Sequence, residues 1–353
     1  MSKGPKDVFE TTFFQGGYSE MRVTYDGPLD PEFEQKREKP IPKPKEIKEY
    51  LDRHVIGQEY AKKTISTLMV NHMFRAKYNA GVAKDTQKLK KSNVLLIGDS
   101  GVGKTLTVKV ASEFVDIPLI VEDATKLTQE GYVGDSVDTL LTNLIVKAGG
   151  DVEKAEKGII FLDEFDKLGD TGNNRSDVST GAVQQSLLKM VEGGTFTVAT
   201  QPGESRTSPK VQFDTSSVTF IFAGAFGGLA SKVKGEVSLG FAESTRERKI
   251  VESDIIEFGI MPEILGRIGT YITLHELSDS DMLKVLTEVE NSIVKQYEKL
   301  FELRGIKWKL KKKDYKAIIK EVKETKLGAR GLQHKLEQLL LEDMYSEGDK
   351  DDS

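Results

Sequence analysis

The spacing of apolar residues changes several times along this chain, and each change marks an element. Ile47, Leu51 and Val55, then Ala61, Ile65, Leu68 and Met69, recur at helical intervals and predict two successive amphipathic helices. Short apolar runs follow at 92–98, 117–121, 159–162 and 218–222, with helical segments such as 105–114 between them. Strands that are apolar throughout and alternate with helices predict an α/β fold, a parallel sheet covered on both faces. Beyond Ser278 the spacing is mostly helical. One strand is predicted there, where Ile306, Trp308 and Leu310 alternate with Lys307, Lys309 and Lys311, the lysines forming a solvated face. A closing helix carries Leu332, Leu336, Leu339 and Leu340 on one stripe.

Before the first helix the pattern is different. Residues 9–14 and 21–25 have strand character around Gly16-Gly17, and 36–45 (KREKPIPKPK) reads as an extended linker. Four segments are expected: an arm and linker at 1–43, a large sheet domain at 44–277, a small helical domain at 278–346 and a disordered acidic tail at 347–353. Composition narrows the classes. A net charge of -5 argues against a dedicated nucleic-acid binder, and the absence of cysteine excludes disulfides and thiolate zinc sites. The most apolar stretch, 218–229, is too short and glycine-rich to span a bilayer, and the N-terminus has no signal core. A soluble cytoplasmic protein is expected.

Chemistry concentrates in two places. Gly98, Asp99, Ser100, Gly101, Val102, Gly103, Lys104 and Thr105 match G-x-x-x-x-G-K-[ST] between a predicted strand and a predicted helix. Glycines let successive N–H groups turn toward phosphate oxygens, and the helix N-terminus adds its dipole. Lys104 is expected to reach the β- and γ-phosphates of ATP, and Thr105 to bind Mg²⁺. The second place is the end of the run Ile159-Ile160-Phe161-Leu162, where Asp163 and Glu164 emerge. Ligands in such sheets bind at the carboxyl ends of strands. Asp163 is expected to hold Mg²⁺ and Glu164 to orient the attacking water.

A phosphate loop alone does not choose among ATPases. From 44 to 347 the sequence resembles the ClpX family of AAA+ unfoldases, on several separate motifs. His54-Val55-Ile56-Gly57-Gln58 is similar to the segment that places Val55 and Ile56 against adenine. Gly131-Tyr132-Val133-Gly134 looks like the aromatic pore loop, a large ring on a glycine stalk. Pro262-Glu263-Ile264-Leu265-Gly266-Arg267 resembles the element whose arginine completes a neighbouring subunit's site. Gly328-Ala329-Arg330-Gly331-Leu332 is similar to the small-domain motif whose arginine touches the nucleotide in cis. Leu239-Gly240-Phe241 matches the tripeptide that docks on a ClpP-type protease. The resemblance implies an ATP-driven homohexamer with Glu164, Arg267 and Arg330 in hydrolysis and protein chains as substrate.

Three features depart from known patterns. The family's four-cysteine zinc module has no counterpart here, so no zinc is expected. The hairpin at 196–213 carries only Arg206 and Lys210 where the family has a basic loop. The strand at 218–222 runs into Ala223-Gly224-Ala225-Phe226, where many AAA+ proteins have a polar sensor. A remodeller without a protease, or a DNA-directed motor, would share the nucleotide motifs. The DNA motor would not need Gly131–Gly134.

Overall fold

The structure, a computed structural model, describes residues 8–11, 21–24, 40–81, 88–128, 135–169, 177–201, 209–227, 229, 250–290, 292–305, 308–325 and 327–348. The chain divides into two compact units, Met1–Pro40 and Ile41–Ser353. In the first, β1 (Val8–Thr11) pairs antiparallel with β2 (Met21–Thr24), Val8 opposite Thr24.

The second unit opens with α1 (Pro44–His54) and α2 (Glu59–Gly81). Pro44 sits in the first turn of α1, where its fixed φ suits the helix and its missing N–H costs nothing. The last two residues of the expected linker are therefore helical. Then come β3 (Asn93–Ile97), α3 (Lys104–Val115), β4 (Leu119–Asp123), α4 (Thr139–Lys147), β5 (Ile159–Asp163) and α5 (Asp177–Glu192). A hairpin follows, β6 (Thr195–Ala199) against β7 (Lys210–Asp214), and then β8 (Thr219–Gly224) and β9 (Ile268–Thr273).

Among the described residues, five strands form one sheet in the order β9-β3-β8-β5-β4, every pair parallel. Period-two alternation divides its side chains between two cores. Leu95, Ile97, Ile160, Leu162, Phe220 and Phe222 face α4, α5 and the hairpin. Val94, Leu96, Ile159, Phe161, Ile221 and Ala223 face α1, α2 and α3. Both faces are dry, as the continuous apolar runs require. The strand β9 does not stand out in the sequence, because Gly269, Thr270 and Tyr271 break its apolar run and it lies at a sheet edge.

A third core belongs to α6 (Asp279–Thr287), α7 (Ile293–Leu303), α8 (Lys312–Thr325) and α9 (Gly328–Gly348). Leu332, Leu336 and Leu340 are buried in it and Leu339 packs against it. Helix α9 continues two residues into the expected acidic tail. The predicted strand around Trp308 does not form among the described residues: 308–310 carries no strand pairing, and Ile306 and Lys307 lie outside them. Its alternation comes from packing on one side only. Trp308 stacks on Phe301 at 4.9 Å and Leu310 is buried, while Lys309 and Lys311 face water. Among the described residues, no helix is long and apolar enough to cross a membrane.

The amino ends of the strands are sewn together by buried polar groups. Asn93 donates from Nδ2 to the Arg267 carbonyl (2.9 Å) and accepts the Phe220 N–H on Oδ1 (3.0 Å), bridging β3, β8 and the start of β9. Nearby, His72 Nε2 lies 2.8 Å from the Lys157 carbonyl and Nδ1 lies 2.9 Å from Thr219 Oγ1. A carbonyl can only accept, so Nε2 carries the proton and Nδ1 accepts from the hydroxyl. Burial holds His72 down to about 4, against an ordinary 6.5.

That depression sets a testable pH dependence. Between those values the unfolded chain takes up a proton that the folded chain refuses, so stability falls as pH drops from 6.5 toward 4. The whole shift is worth about 3–4 kcal/mol, of which about 2–3 kcal/mol is lost between pH 7 and pH 4.5. In urea unfolding, the stability advantage of wild type over His72→Gln should shrink by about that amount between pH 7 and pH 4.5. A constant difference would show that His72 titrates normally.

Candidate nucleotide site

The phosphate loop lies at the carboxyl end of β3, as its sequence context requires. Gly101 (φ 76) and Gly103 (φ 102) occupy the left-handed region, and Gly103 caps α3. Lys104 is buried and donates to the carbonyls of Gly98 (2.5 Å) and Asp99 (2.8 Å). Burial, opposed by the carboxylates of Asp163, Asp166 and Asp99, lowers its pKa. The ammonium is thus held within the loop and desolvated, which strengthens its attraction for a phosphate.

At the end of β5, Thr105 Oγ1 donates to Asp163 Oδ2 at 2.9 Å, and the Glu164 N–H donates to Asp163 Oδ1 at 3.0 Å. A hydroxyl and a carboxylate are thereby joined as hard oxygen donors, a set that fits Mg²⁺ arriving with nucleotide phosphates. Among the described residues, no group of three or more His, Asp or Glu side chains could hold a metal by itself. Glu164 is exposed and has φ 54, unusual for a residue with a side chain. Such strain is often kept where a side chain must be aimed.

Beside the segment after β8 lies a carboxylate from the turn that follows β5. Asp166 Oδ2 accepts the Phe226 N–H at 3.2 Å, and a Cβ on Gly224 would lie 2.6 Å from Asp166 Oδ1. Phe226 is fully buried with φ 47. Asp166 was not among the residues singled out from the sequence. Its signal was the third carboxylate in Asp163-Glu164-Phe165-Asp166, on the short 3-10 turn after β5.

One cavity of about 1280 Å³ joins these groups to the helical part. Val55 and Ile56 line it, with Ser100 to Thr105, Asp163, Glu164, Asp166, Gly224 and Ala225. Leu277, Val285, Leu286, Val289 and Ile293 add an apolar wall that sequence reasoning did not assign. Such a wall suits a flat base, as the loop suits phosphates. Ala329 N–H donates to the Gly101 carbonyl at 3.1 Å, and Arg330 Nη1 donates to Ser100 Oγ at 3.4 Å. The helical part therefore touches the phosphate loop backbone to backbone. A Cβ on Gly101 would run into the Leu327 carbonyl, and one on Gly328 (φ 56) would lie 2.9 Å from the Ser100 carbonyl.

Not every expected site residue joins this group. Arg267 precedes β9 at the amino end of the sheet, whereas Leu274, after β9, donates to the Ile97 carbonyl beside the phosphate loop. Extended chain of that length separates Arg267 from the loop by about 20 Å. There Arg267 Nη2 donates to Glu192 Oε1 at 2.6 Å, half-exposed. Gly131, Tyr132, Val133 and Gly134, and Leu239, Gly240 and Phe241, lie outside the described residues. Flanking the first group, Leu127–Thr128 and Asp135–Ser136 pair in parallel.

Comparison with known proteins assigns the chain to a family. The family described as AAA domain (Cdc48 subfamily) matches residues 89–271, and the C-terminal, D2-small domain of ClpB protein matches 277–348. The molecule is an AAA+ enzyme that binds and hydrolyses ATP. A Treponema denticola protein named ATP-dependent Clp protease ATP-binding subunit ClpX is 39% identical over 86% of this chain and 77% of its own length. Proteins of the same name from Bacteroides thetaiotaomicron and Bacteroides fragilis are each 37% identical over 87% of the chain, with 78% and 77% of their own lengths covered. The chain belongs to the ClpX family.

The contact at Gly101 can be tested directly. Gly101→Ala should weaken binding of a fluorescent ATP analogue by about tenfold or more, with an unchanged far-UV circular dichroism spectrum. Gly81→Ala, where nothing lies within 4 Å of the new methyl, should bind as wild type.

Proposed function

We propose that this chain is one subunit of a cytoplasmic homohexamer that uses ATP to unfold proteins and thread them through a central channel. The observation that carries the reading is the shared cavity, in which phosphate loop and helical part meet at Gly101 and Ala329. A nucleotide there contacts both, so a change at its γ-phosphate alters how they are held together.

In this reading Lys104 and the loop N–H groups hold the phosphates, and Val55 and Ile56 face the base. Thr105 and Asp163 hold Mg²⁺, which neutralises charge building on the phosphates. Glu164 orients the attacking water, and Arg330 reports the nucleotide to its own helical part. Arg267 serves the next subunit. Its distance from its own loop supports that assignment, and a guanidinium suits it because it stays charged and binds phosphate in a fork. Tyr132 grips the substrate chain, and Leu239-Gly240-Phe241 docks on a ClpP-type protease. The relatives' names as Clp protease subunits support that partner. Neither zinc nor nucleic acid has a part in the cycle.

The deciding experiment measures ATP hydrolysis and loss of fluorescence from a tagged fluorescent protein, with and without a ClpP-type protease. ATP-dependent unfolding alone, and degradation only with protease, is the expected result. Hydrolysis without unfolding, stimulated by DNA, would overturn the reading. Within the site, Glu164→Gln should bind ATP normally and hydrolyse it about a hundredfold more slowly, since the amide keeps the shape and loses the charge. Near-normal turnover would remove Glu164 from the mechanism. Arg267→Ala should lose hydrolysis by a factor on the order of 10³. Mixing it with Lys104→Ala subunits should restore part of the activity, because some junctions then pair an intact loop with an intact arginine. No recovery at any ratio would refute action between subunits.

A further inference from the structure

The connection between the sheet and the helical part, 274–278, is pinned at both ends. Leu274 N–H bonds to the Ile97 carbonyl at 2.8 Å and so continues the ladder of β9. Ser278 caps α6, its hydroxyl accepting the Asp281 N–H at 3.1 Å. His275, between these points, is exposed. Its backbone is held by a side chain 217 residues away in sequence. Gln58 Nε2 donates to the His275 carbonyl at 2.6 Å, and Gln58 Oε1 accepts the His275 N–H at 3.1 Å. The amide pairs with His275 as a neighbouring strand's peptide would. The second hydrogen on Nε2 points to the Val102 carbonyl in the phosphate loop, at 3.3 Å.

We propose that Gln58 is the clamp of this hinge, a positioning residue that ties the phosphate loop to the connection about which the helical part turns. Three further observations support it. Gln58 holds φ 56, an uncommon backbone state for a residue with a side chain, and Gly57 before it has φ 67. The Gln58 carbonyl accepts the Lys62 N–H at 2.9 Å, which anchors the clamp to the first turn of α2. A second cavity of about 270 Å³, lined by Gly57, Gln58, Tyr60, His275 and Asp281, lies beside the hinge and leaves it room to move. One amide thus joins the loop that meets the phosphates to the connection that leads from the sheet to the helical part. Shifts of the loop at Val102 reach His275 through a single rigid plane.

The inference rests on the reading that nucleotide state changes the orientation of the two parts, and the test separates the two. The chain contains no cysteine, so a pair introduced at the exposed Lys147 and Leu303 can be spin-labelled uniquely. Labelled chain is diluted into an excess of unlabelled chain, and the distance distribution is measured by pulsed electron resonance with ADP and with a slowly hydrolysed ATP analogue. Wild type should shift between two narrow distributions. Gln58→Ala should broaden both and lose most of the shift, and unfolding per ATP hydrolysed should fall by about fivefold or more. KM for ATP should stay within about threefold of wild type. Gln58→Glu, nearly isosteric, should behave alike, because its carboxylate faces the His275 and Val102 carbonyls without a proton to donate. Wild-type distance distributions and unfolding per ATP in both variants would overturn the clamp. So would a loss confined to ATP affinity, which would make Gln58 part of the phosphate loop alone. If wild-type distances ignore nucleotide, the coupling reading fails, and the clamp is judged by whether Gln58→Ala still broadens the distribution.

Discussion

Two backbones in van der Waals contact organise this molecule. Gly101 in the phosphate loop and Gly328 at the head of α9 approach so closely that neither tolerates a side chain. Soft contacts between long side chains absorb displacement by changing rotamer, whereas close-packed main chain transmits it. The Ala329 N–H on the Gly101 carbonyl fixes the direction of approach. The cavity has walls from both parts of the chain because this contact draws them together, and Arg330 reaches Ser100 because α9 starts there.

The parallel sheet separates a stiff end from an adaptable one. At the amino ends of its strands, Asn93, His72 and Thr219 are buried and bonded across elements. At the carboxyl ends lie the residues held at positive φ beside the cavity, Glu164 and Phe226 with side chains, Gly101 and Gly103 without. Buried side chains bonded across elements at one end, and left-handed backbone around the cavity at the other, set a cross-linked end of the sheet against the end that carries the site.

Most of the architecture was legible because fully buried strands leave an unmistakable trace. The runs ending at Ile97, Asp163 and Gly224 contain hardly a polar residue, and each proved to be a strand of the sheet. The edge strand β9 was not read, since half of it faces away from the core and its residues include Gly269 and Thr270. The alternation around Trp308 was misread, because one-sided packing on Phe301 produces the same period as a strand without needing a partner. At the site, glycine and lysine positions were legible through the demands of a phosphate. Asp166, Gln58 and the apolar wall from Leu277 to Ile293 were not, because each acts through a residue distant in sequence and local pattern carries no record of its partner.

Helix α9 gives the small contact at Gly101 mechanical leverage. Its 21 residues extend about 31 Å from the phosphate loop. Leu332, Leu336 and Leu340 bury it in the helical core, so helix and core form one packed body. A tilt of about 10° moves one end of a helix of that length relative to the other by ~5 Å, a distance comparable to one turn of helix. A shift of atomic size at the Gly101 contact would in this way be enlarged in proportion to the length of a single helix.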